Sequence, residues 1–197
     1  LNVAVGNYAL DALTSGDNNT AVGHNALGAN NSGGDNTAVG KDALLDNTTG
    51  ANNVAVGVSA LANNTTANDN VAIGDDALIV NTTGTGNTAV GKNALQTNST
   101  GIENVGIGFN ALSANTGSET VAIGHEALST MTTAVRNTAV GHEALTANTT
   151  GYNNTAIGYV AGKGMTEGYQ NTLVGDRAGT AITTGDNNTA IGQHALK

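Results

Sequence analysis

Two dipeptides, His125-Glu126 and His142-Glu143, set an imidazole beside a carboxylate and then repeat the arrangement 17 residues later. Imidazole nitrogen and carboxylate oxygen are ordinary ligands for a divalent ion, and two of each would complete a tetrahedral set. Yet Gly-His-Glu-Ala-Leu is copied whole at both places. Duplication of a unit accounts for the pairing without a ligand, and no metal site is assigned. Gly34-Asp35-Asn36 and Gly185-Asp186-Asn187-Asn188 offer the oxygens that calcium takes. They lack the spacing of an EF-hand loop or of a calcium-binding β-helix repeat, and they read as turns. The serines fall in turn-like stretches, no nucleophile-base pairing recurs, and the Gly-x-Gly at Gly84-Gly86 and Gly106-Gly108 lacks phosphate-loop spacing. The expectation is a protein that is not an enzyme, with no catalytic, cofactor-binding or metal-binding residues. Asn-x-Thr sequons at Asn47, Asn81 and Asn148 are left as modification candidates.

The composition excludes further classes. Net charge is −9 with only six Lys and Arg, a balance that repels phosphate and argues against a nucleic-acid partner. The absence of cysteine removes disulfides and thiolate metal sites. No run of about 18 apolar residues is present, so no insertion into a membrane is expected of this segment. Leu1 does not open a signal peptide, and the chain begins inside a repeat unit, which predicts a fragment of a longer fibre. Charged residues are 11% and aromatics 3%, too few for a salt-bridged surface or an aromatic core.

What positions any functional residue here is a repeat. The block Asn-(Thr/Val)-Ala-(Val/Ile)-Gly recurs along the chain, ending at Gly6, Gly23, Gly40, Gly57, Gly74, Gly91, Gly108, Gly124, Gly141, Gly158, Gly175 and Gly192. The interval is 17 residues throughout, except for 16 between Gly108 and Gly124. There the usual Asn-Thr-Thr-Gly is shortened to Asn115-Thr116-Gly117 and the register recovers at once, as a turn tolerates and a packed strand does not. The unit reads N-T-A-V-G-x-x-A-L-x-x-N-T-T-G-x-N. Residues 1–197 therefore read as one all-β repeat solenoid of twelve coils, about 17 residues each.

Thr-Ala-Val is a short β-prone run with its branched residues at alternate positions. Thr20 and Val22 must point one way and Ala21 the other. The bulky Val/Ile side is expected to fill the coil, leaving the small Ala side for close approach of another backbone. The x-x-Ala-Leu-x-x segment reads either as one helical turn or as a second strand, its Ala-Leu pair inward in both. Asn-Thr-Thr-Gly reads as a turn in which Asn and Gly take left-handed φ. Asn columns should stack into amide ladders from coil to coil. So thin a core favours an extra buried face between chains.

Asn70-Val71-Ala72-Ile73-Gly74, Asn53-Val54-Ala55-Val56-Gly57 and Asn2-Val3-Ala4-Val5-Gly6 resemble the signature block of the YadA-like head repeats of trimeric autotransporter adhesins. Asn154-Thr155-Ala156-Ile157-Gly158-Tyr159-Val160-Ala161-Gly162 is similar to the repeats of phage tail fibres. The resemblance covers nearly the whole chain. It implies a left-handed parallel β-roll, a parallel homotrimer, an extracellular place on a cell surface or virion fibre, and attachment to a host surface protein, matrix or glycan. The unit here is longer than that family's, with the extra residues in the turn region.

Within this frame the residue after each glycine is free to vary, which marks solvent exposure. Its members His24, Lys41, Asp75, Lys92, Phe109, His125, His142 and Tyr159 form the candidate binding stripe. The functional expectation is a structural and adhesive fibre segment. The alternative is an ice- or crystal-binding solenoid working through its Thr and Asn arrays. The mixture of Val3, Val54, Val71, Val105 and Val121 into the Thr column disfavours it.

Overall fold

The computed structural model describes all 197 residues. Each repeat contributes one three-residue strand, from Val3–Val5 to Thr189–Ile191, and the twelve strands form a single sheet in sequence order. Every neighbouring pair is parallel and pairs like with like, as in Ala38 with Ala55 and Val39 with Val56. The rest of each coil is turn, and no helix forms. The chain is a β-solenoid that advances one strand spacing, about 4.8 Å, per coil.

The strand alternates as expected, but its faces are reversed. Ala21, Ala38, Ala55, Ala72 and Ala89 are fully buried, whereas the Thr/Val and Val/Ile positions on either side of them remain partly exposed. The Ala column therefore lines the coil interior and is not a contact between chains. The reason is volume. The opposite side of most coils delivers a fully buried Ala-Leu pair, such as Ala60-Leu61 or Ala94-Leu95. A Cβ built on Gly106, the glycine of this column, would already lie 3.2 Å from Leu95 Cγ. Leucine fills the space and leaves room for a methyl group from the strand.

The Ala-Leu segment is neither helix nor strand. The second residue after each repeat glycine and the Leu both take left-handed φ, as at Asn25 (φ 57) and Leu27 (φ 51), which turns the chain twice within three residues. Leu, unbranched at Cβ, accepts this conformation better than Val or Ile would. The two exceptions to the Leu column are Gly162 (φ 62) and Gly179 (φ 66), which adopt it freely. Their missing side chains are replaced from across the coil. Leu173 stands in the Ala column, and its Cδ1 would lie 2.8 Å from a Cβ on either glycine.

Neither the Asn nor the glycine of Asn-Thr-Thr-Gly is left-handed. That conformation falls on the next turn instead, at Asn18, Asp35, Asn52 and Asp69. Glycine is favoured there for space, since a Cβ on Gly168 would sit 2.5 Å from the Gly185 carbonyl of the next coil. The repeat glycine needs both kinds of freedom. Gly91 has φ +129, and a Cβ on it would meet Gly108 O at 2.6 Å.

Two amide ladders hold the coils in register. In the first, Asn53 Oδ1 accepts the Asn70 N–H at 3.0 Å and the Asn70 Nδ2–H at 3.3 Å, while Asn53 Nδ2 donates to Ala67 O at 2.9 Å. Asn19, Asn36, Asn70 and Asn87 repeat the pattern. In the second, Asn64 Nδ2 donates to Asn47 Oδ1 at 2.8 Å and to Ala67 O at 3.1 Å. Met131, Met165 and Ile182 stand where this second ladder gives way to packing. The shortened turn at Asn115-Thr116-Gly117 leaves Val105 paired with Val121, so the deletion is absorbed outside the sheet. Its trace in the first ladder is Thr120, whose N–H still donates to Asn104 Oδ1 at 3.2 Å.

Candidate binding surface

The left-handed glycine at the end of each strand turns the chain through a corner, and the next residue stands just past it. Backbone bonds between coils then fix that residue's height. Glu126 N–H donates to Phe109 O at 2.9 Å, Glu143 N–H to His125 O at 2.8 Å, Val160 N–H to His142 O at 2.9 Å and Arg177 N–H to Tyr159 O at 2.9 Å. Side chains set one strand spacing apart at the same place on the coil must meet, and aromatic rings there must stack.

Phe109, His125, His142 and Tyr159 form one continuous stack. Their centroids are 5.3, 4.9 and 5.4 Å apart, with interplanar angles of 22°, 5° and 28°. The Arg177 guanidinium closes the lower end, 5.3 Å from the Tyr159 ring centre. Phe109 is 43% exposed and Tyr159 49%, so ring edges and polar tips face water. A second stack, Tyr152 on Tyr169 at 5.1 Å and 3°, lies on the turn that precedes the strand. None of the five aromatic residues is in the core.

The remaining members of the stripe are spread along the rod and form no single cluster with this stack. His24 lies edge-on to Tyr8 at 5.8 Å and 3.9 Å from Asp42. Lys41 pairs with Asp42 at 2.7 Å, and Lys92 with Asp75 at 2.9 Å. The Lys41 bond holds the Asp42 carboxyl below its ordinary range, against a smaller opposing push from burial. Lys163 bonds Glu143 and pulls its carboxyl down, helped by the nearby His142 and His125; Lys163 is raised in return. Asp186 on the next coil raises Tyr169.

The structure also places the remaining residues singled out in the sequence. The His125 and His142 rings lie parallel, so their nitrogen lone pairs run side by side in separate planes and do not converge on one ion. No group of three or more His, Cys, Asp or Glu is arranged to hold a metal. Asp35 sits in a left-handed turn and accepts from Asn18 at 3.1 Å, and Asp186 accepts the Tyr169 N–H at 3.0 Å. No pocket indents the surface. The sequon residues Asn47, Asn81 and Asn148 are fully buried and donate to Gly50, Gly84 and Gly151 carbonyls, which closes them to a modifying enzyme in the folded chain. No family model, curated protein or solved structure matches the chain.

Two features of this surface are not visible in the columns of the sequence. Arg177 lies one residue off the stripe, and only the turn brings it over Tyr159. The other is the outer face of the sheet, since alternation alone sends the Val/Ile column to the interior. Its signal was present: all fifteen acids and all six bases lie outside the twelve strands.

Proposed function

We propose that the chain is a structural and adhesive segment of an extracellular fibre. Three copies run parallel around one axis and attach a cell surface or virion to a host surface protein, matrix or glycan. The observation that carries this reading is the exposed stripe on a uniform stack of coils, where one position per coil varies at constant height. Such a stripe can change its side chains without touching the core. The stack from Phe109 to Tyr159 is its richest part, because large rigid rings bring contact area at small entropic cost.

The test is retention of fluorescent chain on a panel of immobilised glycans and matrix proteins. Retention on one member or more, lost in Phe109→Ser/Tyr159→Ser and kept in Asn7→Ala, is the expected result. No retention on any surface would remove the adhesive reading.

A second reading is favoured by one observation. The Thr/Val and Val/Ile columns both point outward from a regular parallel sheet, a lattice of the kind that could order water or match a crystal face. Thermal hysteresis in a freezing assay would establish it.

A further inference from the structure

The outer face of the sheet presents two columns, Thr/Val and Val/Ile, over twelve strands. Each of its positions is Thr, Val or Ile, without a single charge. In mid-rod, Ile73 is 40% exposed, Ile123 37% and Ile157 41%, although all lie in paired strands. The face is about 55 Å long and about 10 Å wide at ordinary strand dimensions. That footprint, seven threonines included, is comparable with the largest patches that soluble monomers leave open, roughly 300–600 Å².

The geometry points to this face as the one that joins copies of the chain. The inference rests on the three-chain assembly proposed above and places its axis. Charge selects the partner: the chain carries −9, none of it on this face, so copies of the chain meet here without opposing like charges. Three such faces turned to one axis take about 1,650 Å² out of water across the whole assembly, so each chain hides its entire uncharged face. Shape agrees as well. One bulky residue per coil at constant height makes a ridge that an identical ridge matches at every level. Rotation about an axis parallel to the rod keeps equivalent residues at equal height, so Val90 of one copy faces Val90 of the next. The Ala column, sealed inside the coil, has no part in the contact.

The chain has no cysteine, so one introduced thiol reports one position. Val90→Cys should cross-link copies under mild oxidant and double the mass on a non-reducing gel. Val58→Cys, exposed on the stripe, should not. Light scattering of the unmodified chain should give three times the chain mass. Val39→Lys/Ile73→Lys should return it to one chain mass with unchanged far-ultraviolet dichroism, and Val58→Lys should leave it trimeric. A trimer that survives the double lysine change, or cross-links equally through Val58→Cys, overturns this face and leaves the fibre reading standing. A folded monomer at every concentration overturns both. If that monomer shows thermal hysteresis, the face belongs to the second reading.

Discussion

At the scale of the residue, the left-handed leucines and their two glycine replacements are the most exacting positions. Leu78 is fully buried at φ 53. Leu78→Ala should cost about 2–5 kcal/mol through lost transfer energy and a cavity. Leu78→Val should cost more than its smaller volume loss implies, because a β-branched residue resists left-handed φ. Urea denaturation of both variants checks the order. Leu173 with Gly162 and Gly179 is a coupled substitution. Leu173→Ala alone should destabilise by a similar cavity cost. Leu173→Ala/Gly162→Leu/Gly179→Leu should recover most of the loss, while the two glycine changes without it should overpack and destabilise by roughly 1–3 kcal/mol. A triple variant no more stable than Leu173→Ala would break the proposed complementarity. The ion pairs predict a weak pH dependence. Glu143 and Asp42 are both held below their ordinary values of 4.5 and 3.8. Their contribution is present above those values and is lost as pH falls through the lower folded ones. Lys163 is raised above 10.5. Its contribution is present below that value and lost as pH rises through the folded one. The melting temperature should be flat from pH 5 to pH 9 with respect to these groups and dip at either extreme, less in Glu143→Gln.

At the scale of the element, the coil depends on its amide ladder more than on any single strand. A three-residue strand makes few bonds of its own. The buried Asn beside it accepts from the next coil and donates to the next turn, closing gaps that strand pairing leaves. Asn70→Ala would orphan the buried Asn87 N–H, now bonded to Asn70 Oδ1 at 2.9 Å, while the Gly84 carbonyl loses one of two donors and keeps its bond from Asn81. An orphaned buried group costs about 1–3 kcal/mol, so the coil should weaken by about that much. Thr120 sets the milder limit, since its hydroxyl keeps a 3.4 Å contact with the Asn137 N–H. Asn70→Thr should therefore be less damaging than Asn70→Ala, as amide hydrogen exchange of Asn87 would show. Ala55→Leu tests the inward face of the strand. Overpacking should cost stability within the coil whatever the oligomeric state. An unchanged melting curve would send the Ala column back to the surface.

At the scale of the whole molecule, the contacts are strictly between neighbours, strand to strand along the rod. Stability then builds from the coils and the interfaces between them, and damage at one level need not unfold the rest. Asn70→Ala should open local protection around its own and adjacent coils before it abolishes protection at Asn154. Uniform loss of protection along the chain would show that the rod unfolds as one unit. A linear stack also explains why the functional reading concerns surfaces and not a pocket. A coil filled by Ala, Leu and Asn leaves no cavity, and chemistry can vary only on the faces outside it.

The period, the number of coils, the strand positions and the Asn ladders were all legible in the sequence, because a solenoid sets equal columns side by side and comparison within one chain exposes them. The same comparison marked the residue after each glycine as free, and the structure finds ten of those twelve sites exposed, with Asp75 and Asp176 partly covered. It placed the deletion near Asn115 in a turn for the same reason. Alternation could say that Ala21 and Val22 point to opposite sides, but not which side is the interior. That depends on how much volume Leu27 and Ala26 bring from across the coil, which is a property of the closed loop and not of the strand. The left-handed Leu, the exchange between Leu173 and its two glycines, and Arg177 over Tyr159 were hidden for the same physical reason. Each is decided by distances across or between coils that exist only once the chain has closed on itself.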